Sequence, residues 1–288
     1  MRICLVVAHY FKAEANPAYS SVDARKRDQR QQALARVLMA WRAHFSESAS
    51  LDIGQKMTEL HPTSVGLDII VLTHGEDHLV DENMQRGLGI GLVNTQLANP
   101  RMLPFGVHQL MAERQGHYDW FVYSEDDLLL HDPSLFQKLA AFHRVFGARR
   151  LLQPNRYEIN PQAWRLKTYI DGDLRPGLVD GLWSLVPDSQ PALVHESDFG
   201  PLHFARARNP HSGFFALSAE QLAYWMAQPH FGDQDCSFVS PLESAATLGL
   251  AKTFAIYKPS APNHHHLEIE HLDTKFSNLR LPIMYRGG

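Results

Sequence analysis

Residues 118–132, YDWFVYSEDDLLLHD, constrain this chain more than any other stretch, because apolar and aromatic residues run straight into three adjacent acids, Glu125, Asp126 and Asp127. The apolar part predicts a strand covered on both faces of a sheet, with the acids at its carboxyl end. Three carboxylates at the edge of a buried sheet repel one another unless something positive sits among them, and a divalent cation is the simplest candidate.

Two other segments have the same buried-strand pattern. Residues 2–11 (RICLVVAHYF) form a near-continuous apolar run, and residues 67–74 (LDIIVLTH) form a second. Between them, residues 13–23 are rich in small and turn-forming types and read as a loop. Residues 24–45 place Leu34, Val37, Leu38 and Trp41 at helical spacing. The basic group Arg25, Lys26, Arg27 and Arg30 at the start of that helix reads either as a solvated face or as a patch for an anionic partner. Residues 79–99 show no clean period. Residues 104–115 predict a helix with Pro104 in its first turn, and residues 133–146 another, with Asp132 as N-cap ahead of Pro133.

Strand and helix thus alternate, which predicts an α/β fold with a mostly parallel central sheet and helices on both faces. Such sheets bind ligands outside the carboxyl ends of their strands. His9, Tyr10, Glu76, Asp77 and the acids at 125–127 all fall at those ends.

The later half is less regular. Residues 150–153 predict a strand leading into Asn155, Arg156, Tyr157 and Glu158, and residues 171–201 a long loop of the kind that often serves as a lid or binding loop. Residues 213–217 predict a short buried strand, followed by a helix capped by Ser218, with Glu220 one place short of completing a capping box. A helix entered through Pro241 spans 238–250, residues 252–257 form a last strand, and residues 263–288 a His-rich tail. No internal repeat or linker interrupts the chain, so one domain over 1–288 is expected.

Composition narrows the function. At 288 residues and 44% hydrophobic content the chain buries a large core, and its formal charge of -4 argues against nucleic acid as a partner. Cys4 and Cys236 are too few for a thiolate metal site and are expected to be reduced and structural. No window reaches the roughly 20 apolar residues of a membrane span, so a cytoplasmic location is expected, with peripheral membrane association open.

Four constellations carry chemistry. Glu125 and Asp127, at i and i+2, face one ion in the reading that takes them as ligands of Mn²⁺ or Mg²⁺. Glu76 and Asp77 read either as acceptors for a nucleobase or ribose or as a solvated loop. Downstream of the Asn209–Phe215 turn (NPHSGFF), Asp235 is placed as a general base, while Asp233 reads as a helix cap and Glu243 as a first-turn acid that suits the helix dipole. Among the tail histidines, three adjacent rings at 264–266 cannot all point at one ion, which leaves His271 as the better single ligand.

Taken together, the chain resembles glycosyltransferases of the GT-A fold. The resemblance rests on RICLVVAHYF, on DWFVYSEDD, on SGFFALS, on DQD before a helix ending in LGL, and on a late His followed by Leu. It implies a DxD-type motif, here Glu125-Asp126-Asp127, that chelates a divalent metal bound to the diphosphate of a nucleotide-sugar donor. Glu in the first place departs from the strict pattern. The resemblance further implies a nucleotide-binding half over 1–150, an acceptor-binding half over 151–288, an inverting base at Asp235 with Glu243 in reserve, and metal completion by His271. The acceptor is a carbohydrate or other hydroxyl-bearing molecule. Alternatives from other classes are a metal-dependent hydrolase, a nucleotidyltransferase, which the missing Gly-rich basic loop disfavours, and a carbohydrate-binding protein without catalysis.

Overall fold

The computed structural model describes residues 1–14, 20–198, 200–261 and 263–282. Parts of the expected loop at 13–23 (residues 15–19) and of the expected tail (residues 283–288) lie outside the described residues. The chain opens with β1 (Arg2–Ala8), α1 (Arg27–Phe45) and a hairpin of β2 (Ser48–Asp52) and β3 (Met57–His61). It continues through β4 (Gly66–His74), α2 (Glu82–Leu88), β5 (Ile90–Thr95), α3 (Gly106–Ala112) and β6 (Trp120–Glu125). Next come β7 (Leu128–Leu129), α4 (Leu135–Phe146), β8 (Arg150–Leu152), β9 (Asn155–Ile159), β10 (Lys167–Tyr169) and α5 (Pro176–Leu185). The last elements are β11 (Ala192–Ser197), β12 (Gly200–Arg206), β13 (Phe214–Ser218), α6 (Ala219–Met226), α7 (Pro241–Ala251), β14 (Ala255–Pro259) and β15 (Glu268–His271).

The central sheet runs β13-β6-β1-β4-β5. β6, β1, β4 and β5 are parallel, and β13 closes the sheet antiparallel to β6. Alternation along β1 explains why both faces are covered: Ile3, Leu5 and Val7 join the core that holds α1 and α4, whereas Cys4 and Val6 join the core that holds α3, α6 and α7. On α1, Leu34, Val37, Leu38 and Trp41 are fully buried. At about 1.5–3 kcal/mol for each large apolar side chain, packing rather than helix propensity holds this helix in place. The fold class is therefore the expected one, α/β with a mainly parallel sheet between helical layers.

The chain enters at β1, winds outward through β4 and β5, and returns to the other side of β1 as β6. The order reverses between β1 and β6, so the carboxyl ends of these two strands flank a switch-point crevice. In register, Ala8 lies opposite Glu125. The next residues out, His9 and Asp126, meet there.

Several expectations need correction. Residues 79–99 hold α2 and β5, and residues 171–201 hold α5 and β11 rather than a long loop. The segment before α3 is a 3-10 turn, Pro100–Phe105. Ser134 rather than Asp132 is the N-cap of α4; the Asp132 carboxylate instead accepts the Ser134 N–H at 2.8 Å. Ser218 forms a complete capping box, with Gln221 in the third position. β14 is not the last strand, because the tail supplies β15, which pairs with β7 and β9. β15 and β14 belong to two smaller sheets, β10-β9-β15-β7 and β11-β12-β14-β8. Both cysteines are free; Cys4 is buried and its thiol is pushed up to about 12 by burial, but Cys236 is exposed and is not a core residue. No helix among the described residues is long and apolar enough to cross a membrane.

Candidate functional site

β1 and β6 deliver His9 and Asp126 into the switch-point crevice, where His9 Nδ1 donates to Asp126 Oδ2 at 2.5 Å. The other ring nitrogen accepts the Leu79 N–H at 3.0 Å, which fixes the tautomer with its proton on Nδ1. Arg30 of α1 completes the clip. Its guanidinium donates to Asp126 Oδ1 and, at 2.6 Å, to Asp127 Oδ2. Burial alone would raise the Asp126 carboxyl, but the Arg30 charge and the His9 hydrogen bond outweigh it and hold the group well below the usual carboxylate range. Both Asp126 oxygens are thus engaged inside the protein. The positive partner that the acid triplet demanded is, in the first instance, Arg30.

Asp127 is less fully used. Its Oδ1 is buried with no hydrogen-bond partner. His271, at the end of β15, brings Nε2 to 3.7 Å from Asp127 Oδ2. The opposite nitrogen, Nδ1, is held by Glu158 Oε1 of β9 at 2.9 Å. Glu158 is itself anchored by the N–H groups of Phe276 and Ser277. Burial would lower the His271 value, yet Asp127 and Glu158 together raise it above that of an ordinary imidazole. A carboxylate fixing one imidazole nitrogen while the other faces an acid is the arrangement that orients histidine ligands of metal ions.

Glu125 turns the other way. Its carboxylate lies 4.0 Å from Arg156 Nη1 and 3.9 Å from His211 Nε2, with Oε1 buried and unpartnered. Burial, with the Asp127 charge, pushes its carboxyl up to about 7 against the pull of Arg156. Gly213, at φ +57°, packs against the same carboxylate, and a Cβ there would stand 2.5 Å from Oε2. Behind it runs a buried ionic chain: Arg156 Nε donates to Asp171 Oδ1 at 2.9 Å, and Lys258 Nζ donates to Asp171 Oδ2 at 2.7 Å and to the His211 carbonyl at 2.8 Å. Of these, Asp171 and Lys258 drew no notice in the sequence, and Arg156 and His211 stood there only as members of polar segments. The available signal was Arg156 and Glu158 at i and i+2 of one strand, which places two charges on the same face.

Among the described residues, the carboxylates of Glu125, Asp126, Asp127 and Asp171 face the cations Arg30, Arg156 and Lys258, and Glu158 faces His271. No three His, Cys, Asp or Glu side chains among the described residues converge as a preformed cation cage. Asp127 and His271 offer two donors, which suits an ion that takes its other ligands from phosphate oxygens and water.

Beside the crevice, the carboxyl ends of β1 and β4 bring Tyr10 and Asp77 together with His74 and Lys12. Tyr10 and His74 make an edge-on ring contact at 6.1 Å, and Asp77 Oδ2 lies 3.4 Å from Lys12 Nζ and 3.7 Å from His74 Nδ1. Burial and then Asp77 raise the Tyr10 hydroxyl above its ordinary value. Glu76 is exposed on the same loop.

The downstream acids separate. Asp235 and Asp233 share Lys252, at 2.8 and 2.7 Å. The Lys252 hydrogen bond and the Ser237 amide hold Asp235 at about 2. Glu243, in the first turn of α7, accepts the Ser240 hydroxyl, and its charge is felt by both Glu125 and Tyr123. His264, His265 and His266 form a 3-10 turn, with the His264 ring against Tyr169 and the His266 ring against Phe204.

No protein-family model and no curated relative matches the sequence. Solved structures align with it only loosely. CMP:2-keto-3-deoxy-manno-octonic acid synthetase complexed with CTP aligns at 10% identity and a TM-score of 0.36, over 90% of both chains. TarS of S. aureus aligns at 12% identity and 0.45, over 96% of this chain but 38% of TarS. A mycobacterial protein aligns at 13% and 0.43, over 89% of this chain and 64% of that one. Likeness at this level carries no assignment of activity.

Proposed function

We propose that this chain is a glycosyltransferase that moves a sugar from a nucleotide-sugar donor to an acceptor hydroxyl with the help of Mn²⁺ or Mg²⁺, by an inverting route. The observation that carries the reading is the relay Glu158–His271–Asp127 at the carboxyl edge of the central sheet, with Asp127 Oδ1 buried and unpartnered. Asp127 and His271 would hold the cation, with Glu125, close enough to feel both, as the third candidate ligand. When bound, the cation supplies neutralisation of the donor diphosphate.

The protein's own groups supply the rest. His9 and Arg30 lock Asp126, so the loop at 125–127 keeps its shape as a ligand arrives. Arg156 adds a fixed positive charge beside Glu125, Asp127 and His271. Tyr10 and Asp77, with Glu76 at the rim, form the surface for the nucleoside. Proton abstraction from the acceptor hydroxyl falls to an acid of the 233–243 region. Asp235 at about 2 is a weak proton acceptor while Lys252 clamps it, and Glu243 is the acid of this region whose charge reaches the acid cluster, so Glu243 rather than Asp235 is taken as the base.

The test is a thermal-shift and calorimetric screen of UDP-, GDP- and CMP-sugars with and without Mn²⁺, followed by transfer assays on variants. Metal-dependent stabilisation by one nucleotide class is expected. Glu243→Gln is expected to bind donor normally and to lose transfer, and Asp235→Asn to retain more of it. Absence of metal-dependent binding across all the nucleotides would sink the reading.

A further inference from the structure

We propose that the loop at 160–166 and the segment at 274–282 together form a docking surface for an anionic phospholipid bilayer. The loop joins β9 to β10 and is closed by the Asn160 N–H donating to the Leu166 carbonyl at 2.8 Å. The Asn160 amide also donates to Ser277 Oγ at 3.2 Å and to Asn278 Oδ1 at 2.9 Å, so the two segments share one root. Both expose large apolar side chains: Trp164 is 65% exposed, Leu166 60%, Phe276 38%, Leu279 57% and Leu281 72%.

Charge decides the occupant. The two segments carry Arg165, Lys275 and Arg280 and no Asp or Glu, in a chain whose net charge is -4. The cations sit among the apolar groups, with Arg165 4.1 Å from the Trp164 ring centre and Lys275 Nζ 5.7 Å from that of Phe276. Tryptophan and aliphatic side chains interleaved with Lys and Arg suit a headgroup layer, where the rings enter the acyl boundary and the cations meet lipid phosphates. The β2–β3 hairpin makes the contrast. It too is apolar and exposed, with Leu51 at 76%, Ile53 at 85%, Met57 at 62% and Leu60 at 70%. Asp52 and Glu59 on its strands outnumber Lys56 in its turn, so it lacks the basic surplus that an anionic bilayer attracts.

The surface borders the candidate site. Phe276 approaches the His271 ring at 6.1 Å, and Glu158 holds the Phe276 and Ser277 amides. Docking therefore turns the crevice toward the headgroups, and on the reading given under Proposed function the acceptor hydroxyl is one presented at a membrane surface. Bilayer binding itself does not rest on that reading.

The test is co-sedimentation of the full chain, without nucleotide or metal, with vesicles of phosphatidylcholine alone or mixed with phosphatidylglycerol. Binding is expected to the anionic vesicles, to fall as salt rises, and to shift tryptophan emission to the blue in wild type but not in Trp164→Phe. Lys275→Glu with Arg280→Glu is expected to weaken binding by at least about 25-fold, from about fivefold for each basic residue. Leu51→Ser with Leu60→Ser serves as the control and is expected to bind as wild type; far-UV circular dichroism checks that each variant folds. Equal binding to neutral vesicles, no binding to either kind, or loss of binding in the hairpin variant with the charge-reversed variant unaffected would each overturn the proposal.

Discussion

Replacing Arg30 with methionine is expected to destabilise the protein strongly at neutral pH and weakly in acid. The Arg30 side chain is 14% exposed, and those of Asp126 and Asp127 are 9% and 13% exposed, so the three charges form a largely buried group. A unit charge pair at about 4 Å interacts by about 4 kcal/mol at an effective dielectric constant of 20. Methionine fills the stem's volume but leaves two adjacent carboxylates without their cation, for which breaking a buried pair gives about 3–5 kcal/mol. For a chain of this size that is a fall in Tm of roughly 5–8 °C. The sign with pH follows from Asp126, whose folded value is depressed below the unfolded value of about 3.9. The stability it contributes is fully present above that unfolded value and is lost as pH falls toward the folded one. The deficit of Arg30→Met is therefore largest at pH 7 and shrinks below about pH 4. Thermal unfolding of both proteins at about pH 7 and about pH 2.5 measures it, since the loss runs from the unfolded value down toward the depressed folded one. A variant within about 1 °C of wild type at pH 7, or a deficit that persists undiminished in acid, would refute the reasoning.

Two further outcomes test the neighbours of this clip. Gly213→Ala is expected to cost about 1–3 kcal/mol, because the new methyl meets Glu125 Oε2 at 2.5 Å and the backbone sits at φ +57°. In a Glu125→Ala background the steric part disappears, and a double-mutant cycle that finds the same cost in both would remove the contact as its cause. Glu158→Gln is expected to weaken Mn²⁺-dependent nucleotide affinity by about 10–100-fold through loss of the His271 anchor; unchanged affinity by calorimetry would remove Glu158 from that role.

The parts of the fold that could be read from sequence were those whose burial is continuous. β1, β4 and β6 read clearly because apolar residues fill both of their faces, and α1 because its buried stripe repeats at helical spacing. α2 and β5 did not, since α2 buries no residue fully and β5 is an edge strand with most of its side chains partly exposed. α5 was masked by the Gly, Pro and Asp around it, although Pro176 at its start is an ordinary helix-entry signal. β15 is only four residues long, and its partners β7 and β9 lie more than a hundred residues earlier, so nothing local marks it as a strand.

The site divides along the same line. The acid triplet and His9 were visible as strand ends, and His271 as a histidine apart from the adjacent three. Their partners were not. Arg30 sat within a basic run whose plainest reading was a solvated face, and its contact with Asp126 spans 96 residues. The Arg156–Asp171–Lys258 chain joins β9, the segment after β10 and β14, elements that meet only in the folded molecule.

The central claim is that Asp127 and His271 hold a divalent cation together with a nucleotide diphosphate. Electron spin-echo spectroscopy of Mn²⁺ bound in the presence of the nucleotide selected by the screen measures it directly. A nitrogen coupling from one imidazole is expected that vanishes in His271→Ala, with loss of bound Mn²⁺ in Asp127→Asn. Mn²⁺ bound with nucleotide but with no nitrogen coupling, or coupling unchanged in His271→Ala, would contradict it.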